Sequence, residues 1–405
     1  MTTVYQKPTA PELDQLPQFP PSPPPIRHPR QVLAVLMMAG CLSSAAGAVV
    51  APVFPEIVEQ FELSSRWAGV LVSTHTLTTA LASLIFGLLV SRLGSVRILL
   101  SCLVGYAIFG SLGAIAHGFW GILLSRALVG AASGGIGAGS IGILSNLYNG
   151  EARTRMMGYA TSALATATVI FPILGGWLGL YNWRWAFVLY GLGLPAAVAG
   201  LLILPKGQRQ HRKNGIPQTD GIGNILKRGR VLLILLALAT ASAIFYVVVV
   251  YAPMYLKDAI NASSLLNGYV LAARSVGAAV IAAVGAAKVS KRLGAGGAIA
   301  TGFLLMAISL ATIPNVLSPP LMLLAGLIFG LGFGLVMPNF YSALADFSSD
   351  SQRSGVLAIG TGCASLGQFV SPLMFGPIWA TAGTHVFYVA AAIAATVGAL
   401  NWIRR

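Results

Sequence analysis

Gly87-Leu88-Leu89-Val90-Ser91-Arg92-Leu93-Gly94-Ser95-Val96-Arg97 is a short basic turn set between two apolar runs. The flanking stretches, 67–90 and 96–117, are each long enough to cross a hydrocarbon core, which takes about 20 apolar residues for about 30 Å. The turn also returns: Arg92-Leu93-Gly94 recurs two hundred residues later as Arg292-Leu293-Gly294, again between apolar runs. One decisive turn, used twice, points to a membrane chain built from two similar parts.

Composition agrees. The chain has 405 residues, 56% hydrophobic and 9% charged, against roughly 25% charged in an ordinary soluble domain. Too little polar surface remains to solvate a protein of this size, so a water-soluble globular enzyme is excluded. The formal net charge of +15 does not imply a nucleic-acid partner, because Lys and Arg lie in short segments between apolar runs rather than on one basic face. Cys41, Cys102 and Cys363 sit inside apolar stretches without metal-type spacing, so neither a disulfide framework nor a zinc site is expected.

Cutting the chain at charges, Pro-Gly clusters and polar turns predicts an all-α polytopic membrane protein with twelve spans: 31–53, 67–90, 96–117, 119–147, 155–180, 184–205, 231–256, 264–288, 296–314, 319–346, 354–380 and 384–403. The expected domains are a disordered Pro-rich tail over 1–30, a six-helix half over 31–205, a linker over 206–230 and a second six-helix half over 231–405. The tail has no apolar core of the signal-peptide kind. Cations concentrate in the tail, in the central linker and after alternate spans; Arg66, Arg184 and Lys257 alone fall on the opposite side. The positive-inside bias therefore places both termini and the linker in the cytoplasm, with the chain in the cell (inner) membrane.

Sliding the second half onto the first extends the repeat. Gly130 and Gly134 return as Gly330 and Gly334, Arg153 as Arg353, Pro172 as Pro372, and Phe187 as Phe387. Around the second and eighth spans the offset is 199, matching Gly69 to Gly268 and His75 to Arg274. Parallel repeats of this kind imply two halves related by an axis along the membrane normal, with the substrate site near the midplane between them.

Several motifs then carry a resemblance. The 87–97 turn resembles the signature Gly-x-Leu-Ala-Asp-Arg-x-Gly-Arg-Lys of the major facilitator superfamily, with Ser91 in place of Asp. Arg126 followed by Gly130-Ala131-Ala132 is similar to the family's second signature. Phe171-Pro172-Ile173-Leu174-Gly175-Gly176 looks like the antiporter signature found mainly in its exporters, and Tyr181-Asn182-Trp183-Arg184 to the usual lead into the sixth helix. The resemblance implies the twelve-helix fold of the drug/proton antiporter type. It also implies a cytoplasmic gate at Gly87, Arg92, Gly94 and Arg97. The repeat extends that gate, since Arg292 follows the eighth span as Arg92 follows the second, and an ion pair of Arg292 with Asp346 at the end of the tenth is expected. Pro172 frees a backbone carbonyl and is expected to bend the fifth helix, with Gly175 and Gly176 letting the bent segment pack.

Arg126 and Arg274 lie more than about 10 Å inside their spans. A charge at that depth costs about 2.5 kcal/mol or more unless it meets a cavity or partner, so both are candidate site residues. No Asp or Glu lies deep in a span; His75, with an unperturbed pKa of about 6.5, is the deep side chain able to change charge at physiological pH. Tyr246, Asn339, Phe340 and Gln368 complete the candidate substrate or coupling set. Two functions remain open. One is a proton-linked exporter of small amphipathic molecules; the other is a carrier of small organic or inorganic anions held by Arg126, Arg274 and His75. In either case a monomer in lipid is expected, with a small-molecule substrate, no cofactor, no metal and no enzymatic activity.

Overall fold

The computed structural model describes residues 29–147, 150–204, 227–349 and 352–403, which are helical nearly throughout. Most of the Pro-rich tail, the linker between 205 and 226 and the turn at Asn149 lie outside the described residues. The first half contains α1 (Pro29–Ala48), α2 (Ser65–Leu93), α3 (Ser95–Ile115), α4 (Phe119–Leu147), α5 (Gly150–Gly179) and α6 (Gly193–Ile203). The second contains α7 (Gly229–Ile260), α8 (Ser264–Val280), α9 (Ala286–Thr312), α10 (Pro319–Asp346), α11 (Arg353–Ala382) and α12 (His385–Ile403). Helices are the natural outcome, since lipid offers no partner to an unpaired backbone N–H or carbonyl.

Among the described residues eleven apolar runs are long enough to span a bilayer, one fewer than the twelve read from the sequence. The difference is local: the run Ser264–Asn315 has 52 residues and is broken at Gly294, whose φ of 71° is non-helical. Gly94 makes the matching break between α2 and α3 at φ 89°. Only glycine takes this left-handed backbone without steric cost. The eighth span therefore runs on through a π-turn at Ile281–Gly285 and the start of α9 as far as Gly294, beyond the expected limit of 288.

The surface is inverted relative to a soluble protein. Leu84, Leu88 and Leu202 are exposed at 60%, 74% and 79%, the surface that the bilayer covers. Inside each half, glycines let helices approach. Gly130 and Gly134 lie against the backbone carbonyls of His75 and Thr79, seating α4 on α2; Gly330 and Gly334 lie against those of Arg274 and Ala278, seating α10 on α8. Close approach of this kind is how helices associate where no hydrophobic driving force separates them from lipid. Arg184 caps the end of α3, its Nη1 donating to the carbonyls of Ala114 (2.7 Å) and Ala116 (2.9 Å), which satisfies carbonyls a helix end leaves free.

The halves meet on one face. Gly69 on α2 abuts Pro372 on α11, and Gly268 on α8 abuts the carbonyl of Pro172 on α5, the same contact made twice by repeat-related residues. Ser264 Oγ donates to the Gly176 carbonyl (2.9 Å) and Asn267 Nδ2 to that of Pro52 (3.2 Å). Phe54, from the short helix Phe54–Gln60 that follows α1, is fully buried in the second half's core with Ala51. On the opposite face, Gly87, Gly94 and Gly294 have open space around them.

Candidate functional site

A cavity of about 260 Å³ lies at the seam between the halves. His75 and Thr79 line it from α2, Phe245, Tyr246 and Val249 from α7, Arg274 from α8, Gln368 from α11, Pro172 from α5, and Ser43, Ser44 and Gly47 from α1. No Asp or Glu is among the lining residues. Of the expected substrate residues, His75, Tyr246, Arg274 and Gln368 are thus brought together. The equivalence of His75 and Arg274 is visible in the packing, since repeat-related Gly130 and Gly330 rest on their respective carbonyls.

Arg274 is 9% exposed and its guanidinium carbon lies 4.1 Å from the centre of the Phe245 ring. That ring in turn stacks on Phe333 at 4.4 Å, so the aromatic pair fixes the plane of the cation by cation–π attraction. Its Nε and Nη1 are buried and have no hydrogen-bond partner. His75 is 8% exposed; its Nδ1 lies 2.6 Å from the carbonyl of Val72, one turn earlier. The same carbonyl accepts a hydrogen bond from Tyr246 Oη at 2.9 Å, so α2 and α7 are tied across the seam beside the cavity.

Arg126 is placed differently. It is 1% exposed and sits behind the cavity wall, where Nη1 donates to the Ala46 carbonyl (2.9 Å) and to Tyr190 Oη (2.8 Å). Phe187 and Tyr190 hold its guanidinium carbon at 5.0 and 4.8 Å from their ring centres. It braces α1 against α4 and the turn before α6, and Ala46, which it holds, lines the cavity.

Two expected residues lie away from the cavity. Asn339 accepts from Ser290 Oγ (2.7 Å) and donates to the Leu335 carbonyl (2.7 Å), tying α10 to α9. Phe340 is 1% exposed and packs edge-on against Phe303, in the core of the second half. Both are polar or aromatic groups of the tenth span, but helix rotation turns them from the seam. At the expected gate, Arg92, Arg97, Arg292 and Asp346 are exposed, and Arg292 and Asp346 do not form the anticipated ion pair among the described residues. Solvated charges at a membrane surface gain only about 0 to 1 kcal/mol from pairing. In α5, Gly175 lies against the Val49 carbonyl and Gly176 against that of Ser264, so the motif's glycines close the seam while Pro172 reaches the cavity wall.

Sequence reading missed Gly47 and the hydroxyls of Ser43, Ser44, Thr76, Thr79 and Thr168. The cluster Ser43-Ser44-Ala45-Ala46-Gly47, small residues in an otherwise bulky span, was the available signal.

A cavity between two six-helix halves, with a buried cation at its wall and lipid-facing helices outside, defines a multi-pass membrane transporter. The Major Facilitator Superfamily sequence model matches residues 36–311 and 246–405, and the chain belongs to that family. It is 31% identical over 171 residues to an efflux pump, bfoC, of Aspergillus brasiliensis, covering 41% of this chain and 30% of that protein. It is 24% identical over 157 residues to the quinolone resistance protein NorA of Staphylococcus aureus, covering 38% and 40%. Less than half the length of either relative is therefore matched. Among solved structures it resembles a bacterial homologue of the human lysosomal transporter Spinster, inward-facing and unoccupied, with TM-score 0.76, 16% identity and 95% and 96% of the two chains covered. The human organic anion transporter MFSD10 superposes with TM-score 0.65 at 19% identity, over 94% and 100%. These two establish likeness of fold.

Proposed function

We propose that the chain is a secondary active transporter, working by alternating access, whose substrates are small amphipathic anions bound between His75 and Arg274. The observation that carries this reading is Arg274 itself: a guanidinium more than nine-tenths buried, with two unpartnered nitrogens, in a seam cavity lined by no carboxylate. An uncompensated cation there is costly, and an anionic ligand supplies the missing charge. Phe245, Val249 and Leu271 offer an apolar wall for the ligand's body. The hydroxyls of Ser43, Ser44, Thr76, Thr79 and Thr168 already donate to backbone carbonyls, so they present lone pairs and favour a body bearing O–H or N–H groups.

With the N-terminus in the cytoplasm, the face closed by Gly268 and Pro172 is the outer one, and the cavity communicates with the cytoplasm. The protein acts as a monomer of two six-helix halves in the cell inner membrane, since its cavity is completed within one chain. Export is the direction favoured by the efflux relatives. A second reading, export of amphipathic molecules in exchange for protons, is supported by those relatives and by the Pro172, Gly175 and Gly176 motif. A thermal-shift screen of the purified protein against size-matched anionic and cationic amphiphiles distinguishes the two. Stabilisation by anions alone is expected; stabilisation confined to cations rejects the anion reading.

A further inference from the structure

We infer that His75 binds a proton at Nε2 together with the anion, so that the substrate travels as a proton–anion pair and Gly47 is the residue that keeps this proton site open. The inference rests on the anion reading of the cavity and specifies its coupling.

The argument starts from the tautomer. A carbonyl oxygen can only accept, so the 2.6 Å contact with Val72 commits Nδ1 as the N–H donor of the ring. The neutral ring's lone pair is therefore on Nε2, which makes no hydrogen bond. That atom points at Gly47: a Cβ added there would collide with Nε2 and its neighbouring ring carbon, and both residues line the cavity. With hydrogen at Gly47, Nε2 is an acceptor open to the cavity, in a side chain more than nine-tenths buried.

The charges around the ring set what this acceptor can do. Arg126 on α4 is the cation that acts on the ring, Arg274 on α8 is the cation that shares its cavity, Tyr246 on α7 is the hydroxyl bonded to the same Val72 carbonyl, and the lining contains no acid to take the proton instead. In the empty cavity a positive charge on the ring is opposed by Arg126. An anion held by Arg274 in the same cavity offsets that opposition, and the proton then adds to the Nε2 lone pair, giving an imidazolium that is a second donor to the ligand. By linkage, the proton strengthens anion binding by the same factor as the anion strengthens proton binding. The charge of the loaded cavity then equals that of the empty one, because one proton and one monoanion enter together. A weak acid accumulating on one side is thereby carried out with its own proton, and a cell need not spend its membrane potential on the step.

Isothermal titration of the full-length protein with benzoate, in two buffers of different ionisation enthalpy at neutral pH, reads the proton directly. Uptake of about one proton per benzoate is expected in the native protein. In His75→Gln and, independently, in Gly47→Ala, benzoate is expected to bind without proton uptake and about tenfold more weakly. Binding of benzoate to the native protein with no proton uptake overturns the inference and leaves the anion reading intact. Proton uptake that persists in both variants overturns it too. Absence of benzoate binding alongside binding of benzyltrimethylammonium rejects the anion reading itself.

Discussion

Tyr246 donates its hydroxyl hydrogen across the seam to the carbonyl of Val72, the oxygen that also receives His75 Nδ1. The bond joins the two halves at the cavity wall, so it must break when they part on that face. Removing it with Tyr246→Phe costs about 0.5 to 1.5 kcal/mol of the closed arrangement, a shift of up to about tenfold in the conformational ratio. Spin labels at positions 62 and 261, on the closed face of either half, are expected to show a larger population of long distances in the variant. An unaltered distance distribution removes Tyr246 from the gating step.

Gly268 and Pro172 make a close helix approach across the seam, with backbone rather than a flexible side chain opposite the missing Cβ. A leucine at 268 has nowhere to go, so Gly268→Leu is expected to hold this face open and to lower transport at least about tenfold. The same labels at 62 and 261 report the opening. Full transport by this variant would show that α5 and α8 need not close.

Arg274 and Arg126 are predicted to respond oppositely to the same change. Arg274→Lys keeps the charge but loses the planar group stacked on Phe245 and its bidentate geometry, so anion affinity falls about tenfold with little effect on thermal stability. Arg126→Lys loses donors to Ala46 and Tyr190 in a buried setting and destabilises by about 1.5 to 3 kcal/mol. Thermal unfolding in detergent with and without benzoate separates the two effects. Equal loss of stability in both variants contradicts the assignment of Arg274 to the ligand.

Asp346 is exposed and unpaired with Arg292, so Asp346→Asn is expected to leave thermal stability within about 0.5 kcal/mol of the native value. A larger loss, read in the same unfolding assay, would reveal a pairing made in another conformation.

Orientation is open to a simple check. A membrane-impermeant thiol reagent applied to intact cells is expected to modify a cysteine placed at the exposed Asn261 and to spare one placed at 213. The reverse pattern overturns the cytoplasmic placement of the termini, and with it the direction in which the cavity opens.

The fold was legible because it follows from one-dimensional signals. Apolar runs of bilayer length have few alternatives to helix in lipid, and the repeated Arg-Leu-Gly turn marks the same reversal twice, at Gly94 and Gly294. Even the pairing of His75 with Arg274 came from the repeat, since an offset of 199 residues is a property of the string of letters. The boundary between the eighth and ninth spans was harder to delimit: the break inside Ser264–Asn315 depends on a single positive φ at Gly294, which hydropathy does not register.

The site was legible only in part, for a reason that Arg126 and Arg274 illustrate. Both are lone cations inside apolar helices, and nothing along the chain distinguishes them. The deciding fact is which side of each helix faces the seam, set by the rotation that glycine contacts impose on α4 and α8. Both keep two buried nitrogens without partners, but that rotation turns Arg126 to an Ala46 carbonyl and a tyrosine hydroxyl behind the wall and turns Arg274 into the cavity itself, against Phe245. The same rotation sends Asn339 and Phe340 into the second half and brings in Gly47, whose importance lies wholly in the His75 nitrogen opposite it. Sequence thus determined the helical character, the order and the symmetry of the spans, because these depend on the chemistry of consecutive residues. Packing across the seam determined which polar atoms lack partners, because hydrogen-bond satisfaction is a relation between residues that the chain keeps far apart.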